Sequence, residues 1–492
     1  MKSDISIIGA GIASLSAAAV LAQKGFNVTV YEKNDKAGGR INTFSHDGFH
    51  FDMGPSWYWM PEIFENFYQR FGYKTSDFYN LQRLDPSYKV VWRKGEVFDI
   101  PANYDELETL FENIENGSAS RLRKFLNHAK YKYEVGMNEF VWKPGRSLLE
   151  FADFRILKSV FRLQMFSSIS KEVDNVVSDS RLREILKFPV LFLGATPEDT
   201  PALYSLMNYA DLKLGTWYPK GGMYEIAKAF HRIALEQGVQ FKFNEPVVGF
   251  EYNGNSITQV KTRNDIYMAD IVLAGSDYHH VDQSLLDPKY QSYSNKYWDT
   301  RKMAPSSLLV FLGVSRKLVG LEHHNLFFDA DFNQHAHQIY KEPKWPDNPL
   351  FYACCPSRTD DAVAPSGMEN LFLLMPIAPD LKDNEEITSR YTKLMIKRIE
   401  KLLGYDFESQ ISFQRKFSVQ DFKSVYNSFK GNAYGLANTL LQTAILKPAL
   451  KSKKIDNLYY AGQLTTPGPG LPPSIISGQI AASQIIKKYR NG

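Results

Sequence analysis

The first forty residues decide the fold: Asp4-Ile5-Ser6-Ile7-Ile8 runs into Gly9-Ala10-Gly11-Ile12-Ala13-Ser14, and an Ala/Leu-rich segment then leads to Val28-Thr29-Val30-Tyr31-Glu32. This order predicts a strand, a glycine turn, a helix and a second strand, which is the unit that binds a dinucleotide. The first glycine permits the tight turn, and the second lets the backbone approach a pyrophosphate. The following helix points its N-terminal amides at that charge.

Glu32 ends the second strand, where its carboxylate can accept hydrogen bonds from a ribose 2′-hydroxyl. An acidic residue there favours NAD or FAD over NADP, whose 2′-phosphate it would repel. Ser14 stands where the third glycine of the fingerprint is expected, and a small residue is tolerable at that packing position. A secretory signal peptide is the alternative for this stretch, but Asp4, the glycines and the second strand argue against it.

Composition and charge limit the classes of protein to which the chain can belong. At 492 residues the chain is long enough for two domains, and its net charge of +4 is too small and dispersed to suggest nucleic acid. No apolar run approaches the roughly 20 residues that span a bilayer. The adjacent Cys354 and Cys355 cannot form a disulfide scaffold, which favours a reducing cytoplasm. We expect no metal, and we interpret His279-His280 and His323-His324 as loop or surface pairs.

Two turns follow the fingerprint. Ala37-Gly38-Gly39-Arg40 suits a loop that passes close to a phosphate and pairs with it. In Phe51-Asp52-Met53-Gly54-Pro55-Ser56, the Gly-Pro turn can bring backbone amides against a ring system. Either piece alone could be a turn without function, but their place behind the fingerprint favours a role in binding.

Residues 119–183 have a mainly helical pattern, rich in Phe, Met and Leu. Within it, residues 154–166 place Arg155, Lys158 and Arg162 on one stripe and apolar side chains on the opposite one. This pattern predicts a helix that lies in an anionic membrane surface, or equally an ordinary surface helix over a packed core.

The C-terminal region carries a second strong pattern. A strand from Asn457 leads into Gly462, and a Gly/Pro-rich loop then feeds a small-residue helix. Gly462 allows close approach to a phosphate or ribityl chain, and the helix N-terminus near Pro472 can direct amides at the electron-rich edge of a flavin. Simple NAD dehydrogenases do not need such a return, so the pattern favours FAD.

With these motifs in place, the chain resembles the bacterial-type carotenoid desaturases, the phytoene-desaturase family of FAD-dependent amine-oxidase-like proteins. The resemblance runs end to end, and its C-terminal loop is the most family-specific piece. One departure is Ser14, and another is Gly275-Ser276-Asp277, where Asn-Ala-Asp is usual. The motifs that carry it are Ile8-Gly9-Ala10-Gly11 with Glu32, Gly38-Gly39-Arg40, Phe51-Asp52-Met53-Gly54-Pro55, Pro219-Lys220-Gly221-Gly222-Met223, Ala269-Asp270 through His280, Gly431-Asn432-Ala433-Tyr434-Gly435-Leu436 and Gly468-Pro469-Gly470-Leu471-Pro472.

The resemblance implies an α/β fold with three parts. These are a discontinuous Rossmann-type FAD-binding domain, a mixed-sheet substrate domain and a helical, membrane-facing part. It also implies a cytoplasmic protein held peripherally at the inner face of the membrane. We assign residues 1–85, 220–285 and 431–492 to the FAD-binding domain, 86–118 and 286–430 to the substrate domain, and 119–219 to the helical part.

The motifs and the resemblance together predict the site residues. Trp57, Tyr58, Trp59, Trp217 and Tyr218 flank the loops expected near the flavin and are predicted to line the substrate cavity, with core packing as the alternative. The proton acceptor is not assigned, because Glu150, Asp153 and His231 qualify only by being titratable. The predicted FAD-binding residues are Gly9, Gly11, Ala13, Ser14, Glu32, Lys33, Gly39, Arg40, Gly54, Pro55, Ser56, Val247, Asp277, Gly462, Gln463, Gly470, Leu471, Pro472 and Ser474.

The resemblance also implies the reaction, in which a saturated bond next to a conjugated polyene gives a hydride to the flavin and a proton leaves the neighbouring carbon. A quinone, oxygen or another acceptor then reoxidises the flavin. The loop ending Gly470-Leu471-Pro472 is closer to enzymes acting at carbons 3 and 4 of a 1-hydroxylated carotenoid, with phytoene desaturation the alternative. A flavin amine oxidase and a non-enzymatic prenyl-binding relative, like the Rab escort proteins, are alternatives of other classes.

Overall fold

The computed structural model describes residues 3–145, 167–439 and 442–490. Strands and helices alternate in it, so the predicted α/β class is confirmed. The strands are β1 (Asp4–Ile8), β2 (Asn27–Tyr31), β3 (Thr43–His46), β4 (Phe49–Asp52), β5 (Leu81–Arg83), β6 (Tyr88–Trp92), β7 (Val97–Ile100), β8 (Trp217–Pro219), β9 (Gln240–Lys242), β10 (Val247–Asn253), β11 (Ser256–Thr262), β12 (Ile266–Met268), β13 (Ile271–Ala274), β14 (Ser306–Val314), β15 (His324–Phe328), β16 (Phe351–Cys354), β17 (Glu369–Ile377), β18 (Ile411–Phe417) and β19 (Leu458–Tyr460).

The helices vary in length from single turns to the long C-terminal helix. They are α1 (Ile12–Gln23), α2 (Pro61–Gln69), α3 (Tyr104–Ile114), α4 (Ser118–Val135), α5 (Ile169–Asp174), α6 (Ser180–Lys187), α7 (Leu206–Tyr209), α8 (Tyr224–Glu236), α9 (Tyr278–His280), α10 (Asn295–Asp299), α11 (Phe332–Tyr340), α12 (Glu385–Leu403), α13 (Val419–Tyr426) and α14 (Leu471–Arg490). None of the helices in the described ranges is both long and apolar enough to cross a bilayer.

A five-stranded parallel sheet carries the dinucleotide fingerprint. Its strand order is β19-β13-β1-β2-β9, and the apolar run Ile5 to Ile8 pairs with β2 on one side and β13 on the other. Both faces of β1 are covered, so Ile5, Ser6, Ile7 and Ile8 are all buried rather than alternately buried and exposed. All five strands fall within the ranges assigned from sequence to the FAD-binding domain.

The second large sheet is mixed and has seven strands, in the order β18-β14-β17-β16-β15-β6-β7. All of its pairs are antiparallel except β15 with β6. Residues 88–100 form an antiparallel hairpin of β6 and β7. The strands fall within the ranges assigned to the substrate domain, and the domain boundaries themselves stay a prediction.

Helix α14, in the C-terminal region, packs on α1. The two helices approach so closely that their backbones are in contact. A Cβ on Gly478 would overlap the carbonyl oxygen of Ala13, so only glycine allows the two helices to approach this closely. Ser16 Oγ adds a hydrogen bond to the carbonyl of Ile475 at 2.9 Å. The close contact places the first turn of α14 beside the glycine turn that precedes α1.

Helices α4 to α7 lie between Ser118 and Tyr209, on either side of residues 146–166, which fall outside the described ranges, and the assignment of 119–219 to a helical part stays a prediction. π-Helical turns extend α4 and α7 over Gly136–Phe140 and Ala210–Leu214. The amphipathic stretch 154–166 lies outside the described residues, and its helix stays a prediction.

Cys354 and Cys355 are both buried and free.

Candidate functional site

The glycine turn and Glu32 are joined by hydrogen bonds. Glu32 Oε2 accepts from the Ala10 amide at 2.7 Å, and its Oε1 accepts from the Asn34 amide at 2.9 Å. Burial raises the pKa of this carboxyl, and the two amides oppose that rise. Glu32 therefore ties the end of β2 to the turn, and its oxygens still have lone pairs for a ribose hydroxyl.

An elongated cavity of about 180 Å³ opens in front of this turn, at the carboxyl ends of β1, β2 and β13. This is the edge where dinucleotides bind in parallel α/β sheets. The residues predicted from sequence that line it are Gly9, Gly11, Ala13, Glu32, Lys33, Gly39, Arg40, Val247, Asp277, Gly462, Gln463, Leu471 and Ser474.

Six other predicted FAD-binding residues are not among the described residues that line this cavity: Ser14, Gly54, Pro55, Ser56, Gly470 and Pro472. Ser14 instead packs against Gly275. A Cβ on Gly54 would overlap the carbonyl of Arg40, so this glycine lets two loops cross. Ser56 lines a separate cavity. The Gly470 carbonyl accepts from the Ser474 amide and begins α14.

The end of α13 covers one side of the cavity, through Val425, Tyr426 and Asn427. Lys33 Nζ donates to the Ser424 carbonyl at 2.6 Å and to Asn427 Oδ1 at 3.3 Å. The ammonium thus binds the C-terminal end of a helix, where carbonyl dipoles favour a cation. Sequence reasoning missed these residues because they lie almost 400 positions from the fingerprint, and no local motif marks them.

Arg40 and Asp277 form the charged part of the cavity wall. Burial raises the pKa of Asp277 to about 6, and the neighbouring Arg40 charge limits the rise. The Arg40 guanidinium lies 5.4 Å from the centre of the Tyr426 ring, and Nη2 donates to Ser428 Oγ at 3.0 Å. Its Nε and the Ser276 hydroxyl are buried with no hydrogen-bond partner among the described residues. Two such atoms on one wall are suited to a polar ligand.

The C-terminal loop closes the opposite end. Gly462 has a φ of +112°, which favours glycine, and its amide donates to Ser477 Oγ at 3.0 Å. Leu471 and Ser474, in the first turn of α14, line the cavity, so the helix N-terminus faces it. A Cβ on Gly11 would meet no described atom within 4 Å, which leaves the open approach that a pyrophosphate needs. The residues present therefore fit FAD.

Of the five predicted substrate-cavity residues, Tyr218 lines one of the two cavities described here, and the other four pack against neighbouring side chains or backbone. Trp57 stacks on His324 with ring centres 4.1 Å apart and also packs on Tyr88 and Tyr352. Tyr58 is in the core, stacked on Phe64, and Trp59 Nε1 donates to Thr216 Oγ1 at 2.9 Å. Trp217 Nε1 donates to the Leu214 carbonyl at 2.9 Å. Tyr218 lines the second cavity.

That second cavity is small and lies between the loop after Gly54-Pro55 and the seven-stranded sheet. Ser56, Tyr218, His323 and Cys354 contribute polar atoms to its wall, and Phe51 and Phe372 contribute apolar ones. The interpretation of His323-His324 as a loop or surface pair is wrong, since the two are 2% and 0% exposed. His324 begins β15, an inner strand of the seven-stranded sheet, and its ring is covered by Trp57.

Of the three possible proton acceptors, His231 is the one that falls within the described residues. Glu150 and Asp153 lie outside the described residues. His231 is on α8, and its ring contacts Phe241 and Phe243. Burial lowers the pKa of this histidine. It lines neither of the two cavities described above.

Comparison with known proteins places the site in a family. Residues 12–486 match the family described as flavin containing amine oxidoreductase. The chain is 38% identical over 485 residues to a carotenoid 3,4-desaturase of Haloarcula japonica, covering 98% of each protein. It is 32% identical to a zeta-carotene-forming phytoene desaturase of Myxococcus xanthus, covering 98% of this chain and 93% of the relative. The solved cyclohexylamine oxidase of Brevibacterium oxydans shares the fold, with a TM-score of 0.59 at 16% identity over the full length of both chains.

Proposed function

The chain belongs to the flavin-containing amine oxidoreductase family, and we propose that it is an FAD-dependent carotenoid desaturase that favours 3,4-desaturation of a 1-hydroxylated carotenoid. The observation that carries this proposal is the 38% identity, over 98% of both chains, to a protein named carotenoid 3,4-desaturase. Phytoene desaturation is the second candidate, since the Myxococcus relative carries that name.

When bound, FAD supplies the acceptor for a hydride. The glycine turn, Glu32, Arg40 and the first turn of α14, which line one cavity, would hold the dinucleotide. Aromatic side chains around Trp57 offer an apolar surface to a polyene and keep water away from it. The residues that bind FAD, the domain boundaries and the cavity-lining role of Trp57 belong to this proposal.

The reaction is tested by anaerobic mixing of FAD-loaded protein with one substrate at a time, while the flavin absorbance near its visible maximum is followed. Bleaching by a 1-hydroxylated carotenoid, but not by an alkyl amine, supports the desaturase. Bleaching by the amine alone, with peroxide released when air is admitted, would identify an amine oxidase. Adding a quinone or oxygen to the bleached protein then identifies which acceptor restores the colour.

Peripheral binding at the inner face of the membrane is also part of the proposal, because the substrate is lipid-soluble and the stretch 154–166 is basic on one stripe. Reversal of Arg155, Lys158 and Arg162 to Glu should abolish co-sedimentation with anionic vesicles. A matched variant changes Lys393, Lys401 and Lys454, which are exposed, by the same total charge. If both variants lose binding equally, net charge rather than this stretch governs docking.

A further inference from the structure

The second cavity is small, and its wall mixes apolar and polar groups. Its free space is about 10 Å³, which is room for roughly one water-sized group. Phe51, Met223 and Phe372 supply the apolar part of the wall, and Ser56, His323 and Cys354 the polar part. A site of this size and character suits a single polar atom attached to a larger apolar molecule.

Two polar groups of this wall carry a buried atom without a hydrogen-bond partner among the described residues, the Tyr218 hydroxyl and the His323 imidazole. His323 Nδ1 is 2.6 Å from Thr359 Oγ1, whereas Nε2 is buried with no hydrogen-bond partner among the described residues. Burial lowers the pKa of this imidazole to about 3, so the ring is neutral at physiological pH. An unpaired buried polar atom costs about 1–3 kcal/mol, which a bound partner would recover.

Tyr352, Ser56 and Asp52, which lie in or beside this wall, already have hydrogen-bond partners. Tyr352 Oη lies 2.6 Å from His324 Nδ1 and donates to Ser56 Oγ at 3.0 Å. The Asp52 carboxylate accepts from the amides of Met223 and Tyr224, at 2.8 and 3.2 Å, where it begins α8. Burial raises the pKa of the Asp52 carboxyl to about 7, because a negative charge is poorly solvated there, and the same burial disfavours a carboxylate on a ligand.

A hydroxyl group matches these conditions better than a charged group. It can donate to a bare imidazole nitrogen or accept from a protonated one, so it satisfies either tautomer of His323. A neutral alcohol also carries no charge into the buried site. Ser56 directly precedes Trp57, so the cavity adjoins the aromatic surface to which the proposed function assigns the polyene.

We propose that this cavity is a hydroxyl-binding subsite, in which His323 Nε2, with the Ser56 side chain beside it, takes the alcohol at the end of an otherwise hydrocarbon substrate. The inference rests on the proposed function for the identity of that substrate. It makes His323 a specificity-determining residue, because a buried nitrogen that loses its partner penalises the analogue lacking the hydroxyl.

The test compares the Kd of two polyenes of equal conjugation, one with a terminal tertiary alcohol and one without, by quenching of tryptophan fluorescence in the FAD-loaded protein. We expect wild type to prefer the alcohol and His323→Phe to reduce that preference about tenfold or more. His323→Gln, which retains a donor and an acceptor, should keep most of it. His337→Phe makes the same change at an exposed position and should leave the ratio intact.

Equal loss of affinity for both polyenes in His323→Phe, with unchanged flavin content, would overturn the subsite and assign His323 a packing role. An unchanged ratio would overturn it as well, and would assign the cavity to a water molecule. Because the readout is binding, wild-type protein that binds both polyenes but converts neither contradicts the proposed function and still decides the subsite.

Discussion

Ser14 on α1 lies against Gly275 at the end of β13, and a Cβ on residue 275 would overlap the Ser14 hydroxyl oxygen. These are two of the positions at which the chain departs from the pattern of the carotenoid desaturases. The serine that replaces the third fingerprint glycine occupies the space left by the absent side chain at 275. The two departures therefore compensate each other, and close packing of helix on strand is retained.

Gly275→Ala should accordingly destabilise the protein by about 1–3 kcal/mol, the usual cost of overpacking a tight core. Ser14→Ala in the same chain removes the overlapping hydroxyl, which is buried and has no hydrogen-bond partner in the described part of the chain. We expect the double variant to recover most of the loss in urea unfolding. Simple additivity of the two changes would show that the residues do not interact.

Glu32→Ala should weaken FAD binding by about tenfold or more, or about 1.4 kcal/mol. The change removes an acceptor for the ribose and leaves the amides of Ala10 and Asn34 without their partner. Titration of the apoprotein with FAD, followed by flavin fluorescence, measures the Kd. Glu251→Ala, an exposed change on β10, is the control. Equal affinity in the two variants would contradict the role given to Glu32.

The raised pKa of the buried Asp211 carboxyl predicts that the stability of the protein depends on pH. This carboxylate is buried, accepts from Tyr88 Oη at 2.9 Å and Thr216 Oγ1 at 3.3 Å, and burial raises its pKa to about 7. Because the folded-state pKa lies above the unfolded value, this group contributes stability at low pH, and that contribution is lost as the pH rises toward 7.

Asp211→Asn removes the titration, so the variant should gain stability relative to wild type between pH 5 and pH 8. The gain is on the order of a few kcal/mol, since one pKa unit corresponds to about 1.36 kcal/mol. Urea unfolding of the apoprotein at the two pH values measures it. Asp406→Asn, at an exposed position, should show no such trend. A gain of equal size at both pH values would mean that packing, not ionisation, is responsible.

Local chemistry explains which parts of the site could be predicted. Gly9, Gly11 and Glu32 act through turn geometry, backbone approach and a hydrogen-bonding carboxylate, and each leaves a pattern within a short stretch of sequence. Gly462 and Leu471 are similar, because a glycine turn and a helix start are local events. These residues all line the cavity.

Tertiary packing explains what could not be predicted. Tyr426 and Asn427 reach the cavity because the end of α13 packs beside the fingerprint, far from it in sequence. Two adjacent histidines, His323 and His324, predict a loop or surface pair when only the sequence is considered. In the structure the seven-stranded sheet and the loop after Gly54-Pro55 bury them. No spacing rule connects Ser56 with Tyr352, which lie almost 300 positions apart and share a hydrogen bond.

The most direct test of the account is the absorption spectrum of carotenoids extracted after FAD-loaded protein, in vesicles with a quinone, has been incubated with a 1-hydroxylated carotenoid or with phytoene. The proposed 3,4-desaturation predicts a red shift of the absorption spectrum with the hydroxylated substrate, from one added conjugated double bond, and no new visible bands with phytoene. New visible bands from phytoene alone would contradict the proposed 3,4-desaturation and assign the earlier step. No change with either substrate, while flavin stays bound, would contradict carotenoid desaturation altogether.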